Sequence, residues 1–133
     1  MMQEILTIHV AIGNICEVRG KAGLARMICF SGKAEGSGFK GKVLPGGVDT
    51  QRQIGAAPLQ LSARYILEGR DSAGKKCRIF IENQGTADAD GNVRQTTPAI
   101  ITDSTALSWM ETAKLTGTIE PWWKGVIIHI FKE

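Results

Sequence analysis

Apolar positions along the chain recur every second residue far more often than at the 3.6-residue spacing of a helix. Residues 4–12 (EILTIHVAI) set Leu6, Ile8, Val10 and Ile12 on one face and Ile5, Thr7, His9 and Ala11 on the other, which is the alternation of an extended chain. The same reading predicts strands at 24–31, 39–44, 59–68, 76–83, 93–102, 113–119 and 125–132, about eight in all. Turn formers separate them: Pro45-Gly46-Gly47, the Arg70–Gly74 stretch around Asp71, Asp90-Gly91-Asn92, and Glu120–Lys124 around Pro121. Connections this short join antiparallel neighbours, because a parallel pair needs a long crossover.

One segment breaks the pattern. Residues 104–111 (STALSWME) carry Leu107, Met110 and Glu111 at helical spacing behind a capping Asp103 or Ser104, and they predict one short helix. It is too short to cover a sheet. Strands without a covering layer must bury their apolar faces against one another, and closing the sheet also removes its exposed edges. The expected fold is therefore all-β: a closed or nearly closed antiparallel β-barrel of about eight strands, with a sandwich as the alternative and residues 1–133 forming one domain.

Composition agrees with a folded chain. In 133 residues, 43% are hydrophobic and 22% charged, unlike a disordered segment that is too polar to offset its conformational entropy. The net charge of +3 arises from 16 basic and 13 acidic residues that are interspersed. Phosphate binding at several adjacent sites needs a basic stripe, and the nearest approach is Lys33, Lys40 and Lys42, so no nucleic-acid partner is expected. No apolar run reaches the roughly 20 residues that span a bilayer, and the start lacks the basic region of a leader; no membrane partner and a cytoplasmic location are expected. Cys16, Cys29 and Cys77 show no C-x-x-C spacing and read as reduced, mostly buried thiols.

Several motif matches fail on context. Gly36-Ser-Gly38-Phe-Lys-Gly41-Lys42-Val43 satisfies G-x-G-x-x-G and most of a P-loop, yet Val43 stands where magnesium requires Ser or Thr, and Pro45-Gly46-Gly47 forbids the helix that would cradle phosphate. A glycine-rich bend in a strand is the simpler reading. Asp88-Ala-Asp90-Gly91-Asn92 resembles a calcium loop but places Ala99 where the bidentate glutamate belongs. His9 and His129 fall on the first and last strands, without a third ligand. No metal or other cofactor is expected.

The run Gly41-Lys-Val-Leu-Pro45-Gly46-Gly47-Val-Asp49-Thr-Gln51, then Ala63-Arg64-Tyr65-Ile-Leu-Glu68, then Ile81-Glu-Asn83-Gln-Gly85 resembles the bacterial and fungal domain of unknown function catalogued as uncharacterised protein family 0311. Pro98, Trp109 and the apolar last strand are similar too, so the resemblance covers most of the chain. It implies a small antiparallel barrel of the calycin or allene-oxide-cyclase type and no agreed activity. Two positions depart from the family's habit: Thr50 replaces a bulky aromatic, and Ser62 replaces an aspartate that could pair with Arg64.

These residues define a candidate pocket at one barrel mouth. Asp49 and Arg64 are the candidate catalytic pair, with Arg64 holding a carboxylate or enolate oxygen and Asp49 taking a proton. Asn83 would orient the ligand through its amide and Tyr65 would join the wall, while Trp109, Trp122 or Trp123 would form an apolar lid. Strand alternation puts Tyr65 on the opposite face from Arg64, so both line one cavity only across a bulge or at the rim. The competing reading is structural: Asp49 bonds turn amides, Arg64 lies on the surface beside Glu68, Asn83 shapes the turn before Gly85, and the tryptophans pack the core or a subunit contact. The expected function is binding of a small carbonyl-bearing or anionic organic molecule, extending to cofactor-independent isomerase, cyclase or lyase chemistry. The alternative is a non-catalytic binding module or homo-oligomeric assembly module.

Overall fold

The computed structural model of the chain describes residues 2–133. Nine strands form one antiparallel sheet: β1 (Gln3–Arg19), β2 (Gly23–Glu35), β3 (Phe39–Val43), β4 (Val48–Ile54), β5 (Gln60–Asp71), β6 (Lys76–Thr86), β7 (Gln95–Thr102), β8 (Leu115–Trp122) and β9 (Gly125–Lys132). β1 pairs with β9 on one side and β2 on the other, which curls the sheet into a nearly closed ring. The seam is weakest between β7 and β8. Only Gln95↔Thr118 and Thr96↔Gly117 are in register there, and Pro98, which lacks a ladder N–H, lies just beyond them on β7.

The ninth strand is a correction with a simple cause. Pro45-Gly46-Gly47 reads as a turn, but β3 and β4 both pair antiparallel with β2 and with β5. They are successive pieces of one stave, and the glycines kink it instead of reversing it. The Leu44 amide donates to the Ile66 carbonyl at 2.8 Å and the Phe30 amide to the Gly47 carbonyl at 3.1 Å, so ladder bonds flank the kink. Gly46 has φ +105°, a conformation that disfavours any side chain.

The expected helix over 104–111 is also corrected, to a single 3-10 turn at Ser108–Glu111 behind hydrogen-bonded turns. Ser104 anchors the segment: its Oγ donates to Asp71 Oδ2 at 2.7 Å and accepts the Leu107 amide at 3.2 Å. Two more bonds reach Asp71 Oδ1, from the amides of Ala73 and Lys75. Leu107 and Met110 are thereby lowered into the core beside Phe39 and Leu115.

Burial shows which of the alternating faces looks inward. Leu61, Ala63, Tyr65 and Leu67 of β5, with Cys77, Ile79, Ile81 and Asn83 of β6, are all buried. On the adjacent strands β1 and β9, Leu6 stands beside Ile130 and Ile8 beside Ile128, and Ile5 and Val10 join the same core. Both Ile5 and Leu6 are buried because a bulge between Glu4 and Leu6 shifts the register. Past Val10, β1 leaves the ring with β2 as a projecting arm, so Ile12, Ile15, Val18 and Met27 are exposed. The same projection exposes Cys16 and Cys29, against the expectation of mostly buried thiols; Cys77 is buried. None of the described helical segments is long and apolar enough to cross a membrane.

Candidate functional site

One end of the interior is apolar and plugged; the other is polar. Asp49, Ala63, Asn83 and Pro98 stand in one cross-strand row. In the next row inward-facing Leu61 opposes Gly85, Gly85 opposes Thr96, and Thr96 opposes Gly117. Asp49 Oδ1, Tyr65 Oη, both amide atoms of Asn83 and Thr96 Oγ1 are buried and find no hydrogen-bond partner among the described residues. Buried polar atoms are paired in the great majority of cases, so several orphans facing one interior demand an explanation. Gly117 shows how close two of them lie: a Cβ there would sit 2.2 Å from Thr96 Oγ1 and 3.6 Å from Asn83 Oδ1.

A chain of polar contacts leads from this cluster to solvent. Gln51 Nε2 donates to Asp49 Oδ2 at 3.1 Å, Arg26 Nη1 donates to Gln51 Oε1 at 3.0 Å, and Arg26 pairs with Glu17 at 2.7 Å. Burial raises the Asp49 carboxyl above its ordinary value, and the Gln51 bond offsets only part of that. The Tyr65 phenol is pushed up as well, by burial alone, and its ring packs edge-on against Phe30 at 5.2 Å between centroids. The site thus holds a neutral phenol, a carboxyl that keeps its proton unusually well, and a free amide.

The structure brings Asp49, Tyr65 and Asn83 together on the inner wall and separates Arg64 from them. Arg64 lies on the outer face of β5, where its Nε meets Glu82 Oε2 at 2.7 Å. The cause is the alternation of β5: its odd positions, from Leu61 to Leu67, are needed in the core. Arg64 and Asp49 therefore face opposite sides of the sheet. Arg64 instead borders an open outer groove of about 920 Å³, also lined by Thr50, Ser62, Gln84 and Thr97. The tryptophans do not form a lid over the polar cluster either. Trp109 lies beneath Lys132 Nζ at 4.7 Å, while Trp122 packs on His9 and donates Nε1 to the Val10 carbonyl on the outside of β1. Trp123, 84% exposed, stands beside Trp122.

Two residues that belong to the interior were missed by the sequence reading. Arg26 shares the inward alternation of β2 with Ile28 and Phe30, and Thr96 that of β7 with Pro98 and Ile100. Extending the period-two reading through 24–31 and 93–102 would have placed both on the inner face. His9 and His129 do not share a metal site. His129 is held between Glu4 and Glu120 on the outer surface, and no cluster of three or more ligating side chains occurs among the described residues.

Fold and interior together define a nearly closed antiparallel β-barrel with a polar inner end. The chain belongs to the family described as "Protein of unknown function (DUF3237)", whose model matches residues 2–106. A UPF0311 protein of Clostridium acetobutylicum is 35% identical over 103 residues, or 77% of this chain. That match spans 62% of the relative's length. Among solved structures, a protein of unknown function from Clostridium acetobutylicum superposes with a TM-score of 0.82 at 26% identity, covering 99% of this chain and 95% of that one. A β-barrel-like protein from Acinetobacter baumannii gives a TM-score of 0.80 at 21% identity, covering 99% and 94%.

Proposed function

We propose that the polar end of the barrel interior binds a small, uncharged, carbonyl-bearing organic molecule. The observation that carries this reading is the set of orphaned buried atoms on Asp49, Tyr65, Asn83 and Thr96. A barrel of this size encloses one small ligand at most. A carbonyl oxygen accepts from the Asn83 amide and the Tyr65 hydroxyl, and from Asp49 when its carboxyl carries a proton, while a ligand hydroxyl or amide donates to Asn83 Oδ1 or Thr96. An anionic ligand fits less well, since Asp49 itself is acidic and Arg26 is already committed to Glu17 and Gln51.

Acid–base chemistry is the natural extension. A desolvated carboxyl with a raised pKa lies closer to the operating pH, which suits a group that takes and returns a proton next to a carbonyl. Asp49 would serve in that role, with Asn83 and Tyr65 donating to the oxygen on which charge develops. This supports isomerase, cyclase or lyase activity without a cofactor. The test is a thermal-stability screen against a library of neutral aldehydes, ketones, lactones and their acidic analogues. Binding to the folded state raises stability by mass action. Hits concentrated among neutral carbonyl compounds and lost in Asn83→Leu support the reading; hits that persist in Asn83→Leu refute it.

A second reading, as an assembly module, draws on the projecting arm. Val18 and Met27 of the β1–β2 hairpin and Ile54 of β4 share one face and are each at least half exposed, a concentration of apolar residues that a second copy would cover.

A further inference from the structure

At the arm's base, where Ala11 pairs with Ser31, the outer surface carries a groove that the interior site does not use. It has a volume of about 570 Å³ and is lined by Lys33, Lys40, Lys42, Lys124, His9 and Trp122, among others. The sheet's register explains the grouping. Lys33 opposes His9 on β1 and Lys42 on β3, and Lys40 follows two residues from Lys42 on the same outer face. Like charges directly opposite each other on neighbouring strands destabilise the pairing, so this arrangement has to be compensated or tolerated.

None of Lys33, Lys40 and Lys42 forms an ion pair among the described residues, although Lys40 opposes Glu35 across the β2–β3 ladder. Lys42 also opposes Glu68, but Glu68 is engaged by Arg78 at 2.9 Å and by Lys76 at 3.8 Å. The other lysine ion pair among the described residues is Lys114–Glu133, elsewhere on the surface. Glu35 lines the groove as its one acidic side chain, against four lysines. The sequence spreads its charges evenly, yet the fold gathers the Lys33, Lys40 and Lys42 group with Lys124 from the far end of the chain.

The wall of the groove is aromatic. The turn between β8 and β9 folds across β1, and Trp122 is fixed there by its Nε1 bond to the Val10 carbonyl at 2.8 Å and by edge-on packing on His9 at 5.2 Å. Trp123 lies outside the lining, next to Trp122 at 6.0 Å between ring centroids, and projects from the same turn at 84% exposure with the Lys124 ammonium 4.7 Å from its own centroid. An indole this exposed offers a face for stacking, and planar rings stack on such faces whatever their edge chemistry.

We propose that this groove binds a small phosphorylated molecule carrying a planar ring, of the nucleoside phosphate class, with the phosphate among Lys33, Lys40 and Lys42 and the ring against Trp123. The recognition differs from a P-loop: side-chain ammonium groups replace backbone amides, so the rejected glycine motif plays no part. A volume of this size holds one nucleotide-sized ligand. A nucleic-acid strand is disfavoured because its affinity grows along an extended basic track, and these cations end with the groove.

The test is titration calorimetry of the intact protein with AMP, ATP, phenyl phosphate and inorganic phosphate at low salt, with Trp fluorescence as a second readout. AMP and ATP should saturate a single site, about tenfold or more tighter than inorganic phosphate. Lys33→Met/Lys42→Met, which removes a like-charge pair and so keeps the fold, should weaken AMP about tenfold or more. Trp123→Ala, at a solvent-exposed position, should erase the advantage of AMP over inorganic phosphate, and Lys21→Glu at the arm tip should change nothing. Absence of saturable AMP binding, AMP affinity untouched by Lys33→Met/Lys42→Met, equal losses in Lys21→Glu, or binding of oligonucleotides without AMP would each overturn the proposal.

Discussion

Replacing Asn83 by leucine should make the ligand-free protein more stable. Asn83 is 1% exposed, and neither its carbonyl oxygen nor its amide nitrogen finds a partner among the described residues. A buried polar group left unpaired costs about 1–3 kcal/mol, and two such atoms share this side chain. Leucine has a similar volume and removes both, while its different shape gives back up to about 1.5 kcal/mol in imperfect packing. Gly117 leaves space beside the amide, since a Cβ there would still lie 3.6 Å from Asn83 Oδ1. The net expectation is a gain of about 1–3 kcal/mol, or a melting temperature higher by roughly 4–12 °C in a domain of this size. Urea denaturation and scanning calorimetry of ligand-free wild type and Asn83→Leu measure it. A loss of about 1 kcal/mol or more would refute the reasoning, because it would show that the amide is satisfied as part of the folded framework and not kept for a ligand.

Ser104 supplies the contrast, since it is equally buried but fully partnered: Ser104→Ala should cost about 1–2 kcal/mol in the same assay. The Ser104 hydroxyl and the Lys75 and Ala73 amides hold the Asp71 carboxyl below its ordinary value despite partial burial. Its contribution is therefore present above the unfolded value, about pH 4, and is lost as pH falls through the lower folded value; Ser104→Ala should flatten acid unfolding curves in that range. The bonds to Glu120 and Glu4 raise the His129 imidazole above its ordinary value. Its stabilisation should be complete below that value and vanish as pH rises through the folded pKa, and Glu120→Gln should lower the pKa read from its ring protons by NMR. Ligand affinity at the interior should fall as pH rises through the Asp49 pKa, and Asp49→Asn, which retains a donor, should bind without that dependence. If the arm mediates assembly, Met27→Glu should shift the oligomeric state seen by light scattering without lowering the melting temperature of the monomer.

The strands were legible because the core needs every second residue, and the sequence supplies it. In β5 and β6 the predicted faces match the buried ones residue for residue. What alternation leaves open is which of two faces turns inward, and Arg64 suffered from that: its motif and residue type put it in the candidate pocket, whereas Leu61, Tyr65 and Leu67 claimed the interior. The kink between β3 and β4 was illegible for a different reason. Pro-Gly-Gly has the composition of a reversal, and only the pairing of both strands with β2 and β5 shows that the chain continues in one direction. Asp49 and Asn83 were singled out by residue type, but their neighbourhood depends on cross-strand register, which brings together positions 34 residues apart that local pattern cannot connect. Lys124 joined Lys33 and Lys42 through the same kind of long-range pairing.

The most direct test of the interior site is a crystal structure of the protein soaked with the neutral carbonyl compound that raises its melting temperature most. The account predicts the compound inside the barrel, its carbonyl oxygen within hydrogen-bonding reach of the Asn83 amide and Asp49. A compound bound only in an outer groove, with Asn83 and Asp49 bridged to one another by ordered water, would contradict it.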